Sequence, residues 1–190
     1  MYEKAFEGKI TCLISYREAN DPAYMPLLSE EQNDEFKLWR SIMIIRKAKG
    51  TDAEDLKILY FDYLTAYPPK EEQDMNVWAN LLDKFEKDEK MYLLVAEENE
   101  KVVSSVQMAI IESLTHNIRP FAVIENVVTH IDYRNKGYAS ALLEKASEIA
   151  KERRCYKVVL ETGSNKESTL NFYRNNGFEI DKKHSCLKRL

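Results

Sequence analysis

The sequence predicts a mixed α/β layer fold, and three observations carry the prediction. Runs of β-forming residues alternate with segments whose apolar residues recur at helical spacing. Taken in order, the elements run β-α-α-β-β-β-α-β-α-β. In the second half, a strand leads through a basic, glycine-bearing loop into the strongest amphipathic segment.

Ile42-Met43-Ile44-Ile45-Arg46 opens the series as a short strand. Thr51-Asp52-Ala53-Glu54 has the spacing of a capping box and starts the first helix. Leu56, Leu59, Tyr60, Tyr63 and Leu64 form its apolar face, and Tyr67-Pro68-Pro69 stops it. A second helix carries Trp78, Leu81, Leu82 and Phe85 on one side. Met91 to Glu97 and Val102 to Ile111 read as a hairpin about the polar turn Glu98 to Lys101. After a polar loop, Phe121 to His130 forms a third strand of this group, its unbroken apolar start suited to a central position.

The helix that follows has Ala139, Leu142, Leu143, Ala146, Ile149 and Ala150 as one stripe, with Arg153 and Arg154 at its C-terminal end. Tyr156 to Glu161 is a strand, and Ser164-Asn165-Lys166-Glu167 repeats the capping-box spacing ahead of a last helix. Gly177 suits that helix's C′ position, and Phe178 to Ile180 with Ser185 to Leu187 would close the sheet. This domain covers residues 43–190. Residues 1–42 form an extension with a strand candidate at Lys9 to Tyr16 and a helix candidate at Ser29 to Trp39; docking arm, oligomer contact and lid are the roles open to it.

The chain has 190 residues, 44% of them hydrophobic and 32% charged, as in soluble globular domains. It has no apolar run long enough to span a membrane and no signal-peptide core, so the expectation is a cytoplasmic protein without membrane contact. A net charge of −4 argues against nucleic acid as a partner. Cys12, Cys155 and Cys186 form no CxxC pair, and His116, His130 and His184 are not at metal-ligand spacing, so neither a disulfide framework nor a metal is expected.

The chemistry concentrates at Arg134-Asn135-Lys136-Gly137-Tyr138-Ala139. A helix start leaves backbone N–H groups unpaired and partly positive, and phosphate satisfies both needs. Gly137 permits a tight turn and close approach, Ala139 is small, and Arg134 and Lys136 add charge. A plain helix start with solvated basic residues reads equally well from these residues alone. The Gly-Lys-Ser/Thr ending of a nucleoside triphosphate loop and the three glycines of a dinucleotide fingerprint are both missing.

Arg134-x-x-Gly137-x-Ala139 after a strand resembles the [Gln/Arg]-x-x-Gly-x-[Gly/Ala] signature of the GNAT acetyltransferases. Three segments in matching order extend the resemblance over residues 43–190: Glu125-Asn126-Val127-Val128-Thr129, Cys155 to Leu160, and Asn165 followed by Phe172-Tyr173-x-x-x-Gly177-Phe178. The resemblance implies a mostly antiparallel mixed sheet with two splayed parallel strands and helices on both faces. It implies acetyl-CoA as cosubstrate, its pantetheine arm paired with the backbone of Val127, Val128 and Thr129. Its pyrophosphate would lie on Arg134, Asn135, Lys136, Gly137, Tyr138 and Ala139, with Asn165 and Phe172 nearby.

By the same resemblance, Tyr173 protonates the departing thiolate, as a phenol near pKa 10 can do for a thiol near 8.5. Glu125 is the candidate general base for the acceptor amine. The glucosamine-phosphate N-acetyltransferase branch carries an acidic pair at the matching positions, whereas this chain has Asn126 in the second place. Cys155 has no neighbouring histidine motif, so direct transfer in a ternary complex is expected rather than an acetyl-cysteine intermediate. The acidic segment Tyr67 to Asp74 would shape the acceptor pocket. The favoured function is acetyl transfer to a small-molecule primary amine, with a homodimer as assembly. Protein lysine or N-terminal acetylation and a noncatalytic CoA-binding module are the alternatives.

Overall fold

Strand pairing decides the architecture. The computed structural model describes residues 43–180, 182 and 186–188; both elements suggested within residues 1–42 lie outside these. Five strands form one sheet in chain order: β1 (Ile44–Lys47), β2 (Met91–Glu98), β3 (Lys101–Ile111), β4 (Phe121–Thr129) and β5 (Val158–Leu160). Neighbours are antiparallel except β4 and β5, which run parallel. The β2–β3 hairpin turns on Asn99 and Glu100, both at positive φ (51° and 63°), as a tight two-residue connection requires.

Helices cover both faces. On one, α1 (Ala53–Ile58) and α2 (Met75–Lys87) bury Leu56, Leu59 and Leu82 against Leu93, Val95, Val102 and Val128. On the other, α3 (Tyr138–Glu152) and α4 (Glu167–Asn175) pack on the opposite sides of β2, β3 and β4. The stripe expected on α3 is the one buried: Leu142, Leu143, Ala146 and Ala150 are at most 1% exposed. Among the described residues, no helix is long and apolar enough to cross a membrane.

Several local expectations are corrected. Thr51 does not cap the first helix. A 3-10 turn, Gly50–Asp52, precedes α1, and the Asp52 carboxylate accepts the Lys49 N–H at 2.8 Å. The same carboxylate takes two hydrogen bonds from the Arg46 guanidinium, at 2.7 and 2.8 Å, and Arg46 also holds Glu97. Ser164 does not cap α4 either; its hydroxyl accepts the N–H of Lys166, the actual N-cap residue, at 3.3 Å. The expected closing strand is not formed at Phe178 to Ile180 or at Cys186 and Leu187, and Ser185 lies outside the described residues. Gly177 does end α4, at φ 83°, with its N–H on the Arg174 carbonyl and that of Phe178 on Tyr173.

The first helix also departs from simple periodicity. After Ile58 it continues as a π-helix, Leu59–Leu64, closed by the Thr65 N–H on the Tyr60 carbonyl at 3.0 Å. The wider turn leaves Leu64 exposed and sets Tyr63 against the end of β4.

Burial alone would raise the Asp52 carboxyl, but the Arg46 guanidinium and the Lys49 N–H hold it below its usual range. A carboxyl lowered on folding stabilises above its unfolded pKa, and that contribution is lost as pH falls through the lower folded value. Asp52→Ala removes two charged hydrogen bonds and leaves Arg46 with Glu97 as its remaining carboxylate, and should cost about 2 kcal/mol in urea denaturation at neutral pH. The difference from wild type should shrink as the pH drops below the ordinary carboxyl range.

Candidate active site

The site begins where β4 loses a partner. Ala122, Val123 and Ile124 pair with Val158, Val159 and Leu160, and the parallel ladder then stops. From Glu125 to Thr129, β4 keeps β3 on one edge and, among the described residues, has no strand on the other. The Val128 carbonyl accepts the Ser104 hydroxyl at 2.8 Å and so points toward β3. Backbone groups alternate along a strand, which turns those of Val127 and Thr129 toward the gap. Of the three residues expected to present main-chain groups there, Val128 is thus directed the other way.

At the mouth of the gap β4 bulges. Register against β3 shifts between Ser105 and Gln107, and Asn126 sits at φ 55°, a left-handed conformation that asparagine tolerates better than most residues. Its side-chain Nδ2 donates to the Gln107 side-chain Oε1 at 3.0 Å, bracing the bulge. Glu125, directly before it, is exposed and lies opposite Gln107.

At its other end the gap meets the phosphate-type loop. Asn135 (φ 61°) and Gly137 (φ 87°) bend the chain so that α3 starts immediately after Gly137. Gly137 brings no side chain to cap that start, and the first turn contains no acidic residue. The loop therefore offers backbone donors and the helix's positive end to an anion. Lys136 lies 4.8 Å over the Tyr133 ring, exposed beside it. Arg134 also braces the loop from below, where its Nε donates to the Thr129 carbonyl at 3.2 Å and pins the loop to the end of β4. Tyr138, expected at the ligand surface, has its ring in the core at 1% exposure, and burial followed by contact with Glu98 pushes its phenol up. Only its main chain remains with the loop. Ala139 lies in the first helical turn.

Tyr173 belongs to the apolar cluster that also takes in Val127, Leu160 and Phe172, the residues around the gap. Its ring packs edge-on against Phe172 at 5.1 Å and Phe178 at 6.1 Å, and burial pushes its phenol up. Asn165 stands exposed in the loop before α4, outside that cluster. Cys155 is a free thiol raised chiefly by burial, so it is a protonated and poor nucleophile.

Sequence reasoning missed two residues here. Tyr63 meets His130 with ring centroids 4.6 Å apart and its hydroxyl 3.0 Å from Nε2. His130 Nδ1 accepts the Asp132 N–H at 3.3 Å, so a neutral ring carries its proton on Nε2 and donates to Tyr63. Arg134 lies 6.0 Å above the Tyr63 ring. The only sequence signal was an ordinary apolar position 67 residues away from its partner.

Fold and site together present an open strand edge on β4 that leads to an uncapped helix start. The Acetyltransferase (GNAT) family model matches residues 55–178. The chain belongs to this GNAT acetyltransferase family. A curated relative, glucosamine 6-phosphate N-acetyltransferase of Trypanosoma brucei brucei, is 32% identical over 87 residues, which is 46% of this chain and 57% of the relative. Streptothricin acetyltransferase A of Bacillus subtilis (strain 168) is 41% identical over 64 residues, 34% of this chain and 37% of the relative. The chain thus matches 57% and 37% of the lengths of these two proteins. A solved structure from Agrobacterium tumefaciens str. C58 superposes with a TM-score of 0.69 at 31% identity, covering 77% of this chain and 99% of that one.

The bulge makes a stability prediction. Asn126→Gly should leave the melting temperature within a few degrees of wild type, since glycine accepts positive φ freely. Asn126→Val should cost about 2 kcal/mol, because a β-branched residue there is strained and the Gln107 bond is lost. Thermal melts of the two variants check the order.

Proposed function

We propose that the chain transfers an acetyl group from acetyl-CoA to the primary amine of a small molecule, by direct attack in a ternary complex. The open edge of β4, running from Glu125 to the Gly137 helix start, is the observation that carries this reading. It fits the ligand's chemistry at both ends: main-chain groups of Val127 and Thr129 for the amides of a pantetheine arm, and unpaired helix N–H groups for its pyrophosphate. Arg134 and Lys136 supply compensating charge. The relatives' names, a glucosamine 6-phosphate and a streptothricin acetyltransferase, support a small amine as acceptor.

In the proposed step, the amine nitrogen bonds to the thioester carbonyl carbon and the C–S bond breaks, leaving the electron pair on sulfur. Glu125, exposed beside the bulge, takes the proton that the ammonium group must lose. Tyr173 delivers its phenolic proton to the thiolate and regains one from solvent. Burial raises the Tyr173 phenol, so the protonated form that the step requires is the one populated at neutral pH. The raised, protonated Cys155 is a poor candidate for an acyl-enzyme carrier.

A thiol-release assay with acetyl-CoA against an amine library tests the reading. Turnover on at least one free amine is expected, and release with peptides alone would favour a protein acceptor. Coenzyme A binding with no thiol released from acetyl-CoA across the whole library would sink the enzymatic reading. Tyr173→Phe should lower kcat by about 100-fold while changing acetyl-CoA affinity little.

The pH profile gives an independent check. An acid must be protonated to act, so the alkaline fall of kcat due to Tyr173 should lie above the ordinary phenol value of about 10 and be missing from Tyr173→Phe. A fall at the same pH in both proteins would assign it to another group.

A further inference from the structure

A second cavity, of about 510 Å³, lies at the opposite end of α3 from the Gly137 loop. The 15 residues of that helix separate the two by about 22 Å. Its floor is apolar, from Ile110 and Pro120, and its rim carries Lys90, Arg119, Arg153 and Arg154 against Glu89 and Glu112. Lys90 is paired with Glu112 at 3.0 Å, and Arg153 with Glu89 at 3.6 Å. Neither Arg119 nor Arg154 has a carboxylate at ion-pair distance among the described residues. In a chain of net charge −4, this cavity is therefore lined by two arginines with no carboxylate partner among the described residues.

Arg119 is already positioned. Its Nε and Nη2 donate to the carbonyls of Arg154 and Cys155, each at 3.2 Å, which leaves further donors of the fork available. Arg153 is steadied by the Tyr92 hydroxyl at 3.1 Å. Arg154 itself is held at φ 61°, where glycine is the usual residue. The facing wall is a turn in which His116, Asn117 and Ile118 all have positive φ (51°, 61° and 58°), with His116 stacked on Tyr156 at 3.8 Å. Such a run costs stability, most of all at a β-branched residue.

We propose that this cavity binds a compact phosphate dianion, a phosphate ester or pyrophosphate group, independently of the cleft along β4. Two guanidinium groups balance its two charges, and the fork geometry of Arg119 suits phosphate oxygens. Nothing in this assignment depends on acetyl transfer.

The test titrates inorganic phosphate at pH 8 into the full chain by calorimetry, in an Arg134→Ala, Lys136→Ala background that weakens anion binding at the Gly137 loop. One site is expected, weakened at least about tenfold by Arg119→Ala and by Arg154→Gly. The second change puts glycine where φ is already positive, so lost binding there is not lost folding. The chain with Arg134 and Lys136 intact should bind phosphate at this cavity with the same affinity, even if it has no affinity for coenzyme A. A silent titration, unchanged affinity in both arginine variants, or equal binding of the dicarboxylate malonate would overturn the proposal.

Discussion

The parallel pairing of β4 with β5 lasts three residue pairs, and the rest of the site depends on where it stops. Buried backbone groups need partners, and a strand edge left open inside a fold invites another extended chain to supply them. Beyond Ile124 and Leu160 that edge is available, while β3 still satisfies the other one. The bulge at Asn126 lies two residues past the last parallel pair, so it re-aims β4 where the gap opens. The connection from Thr129 then delivers the start of α3 to the gap's far end. One strand thereby provides an edge and a polar bulge, and leads to an uncapped helix start.

That register has to be held, and the holding groups come from the opposite face of the sheet. The π-turn of the first helix advances Tyr63 onto His130, and His130 also caps the turn that leads into the loop. Arg134 bridges from the loop to the Thr129 carbonyl and lies over the Tyr63 ring. At its own beginning the helix is fixed by the Arg46, Asp52 and Glu97 cluster, which ties it to β1 and β2. A helix on the far layer is thus anchored at one end to two strands and at the other to the end of β4 and the loop before α3. A rotation of this helix would move Tyr63, and with it the support of the loop.

What was legible in the sequence follows from what was local. The α3 stripe and the β2–β3 hairpin repeat one pattern over many residues, and both fall where periodicity puts them. The caps at Thr51 and Ser164 had the right spacing but lost to nearby competitors: Arg46 recruits Asp52, and Ser164 closes a shorter turn onto Lys166. A π-turn of six residues is too short to register as a change of period. The Asn126–Gln107 and Tyr63–His130 contacts join residues 19 and 67 positions apart, and no local pattern encodes them. From its residues alone the loop at Gly137 read equally well as an anion seat and as a plain helix start; Glu125 and Tyr173 were readable only through resemblance to a family. Their surroundings are what the structure adds.

Those surroundings differ in the way that a proton-transfer pair requires. Glu125 stands exposed at the mouth of the gap, next to a bulge held by an amide pair, where a proton taken from an incoming amine can pass on to water. Tyr173 is enclosed by Phe172 and Phe178, and burial keeps the proton on its phenol until a base forms beside it. A thiolate leaving into the gap is such a base, because the low-dielectric surroundings that favour the neutral phenol also disfavour an unprotonated sulfur anion. Exchanging the environments would remove the advantage of both groups: an exposed phenol would have solvent as its competitor, and an enclosed carboxylate would resist ionising. In the proposed reaction the proton therefore leaves on the wet side and is supplied on the dry one. The end of the parallel ladder is what divides the two.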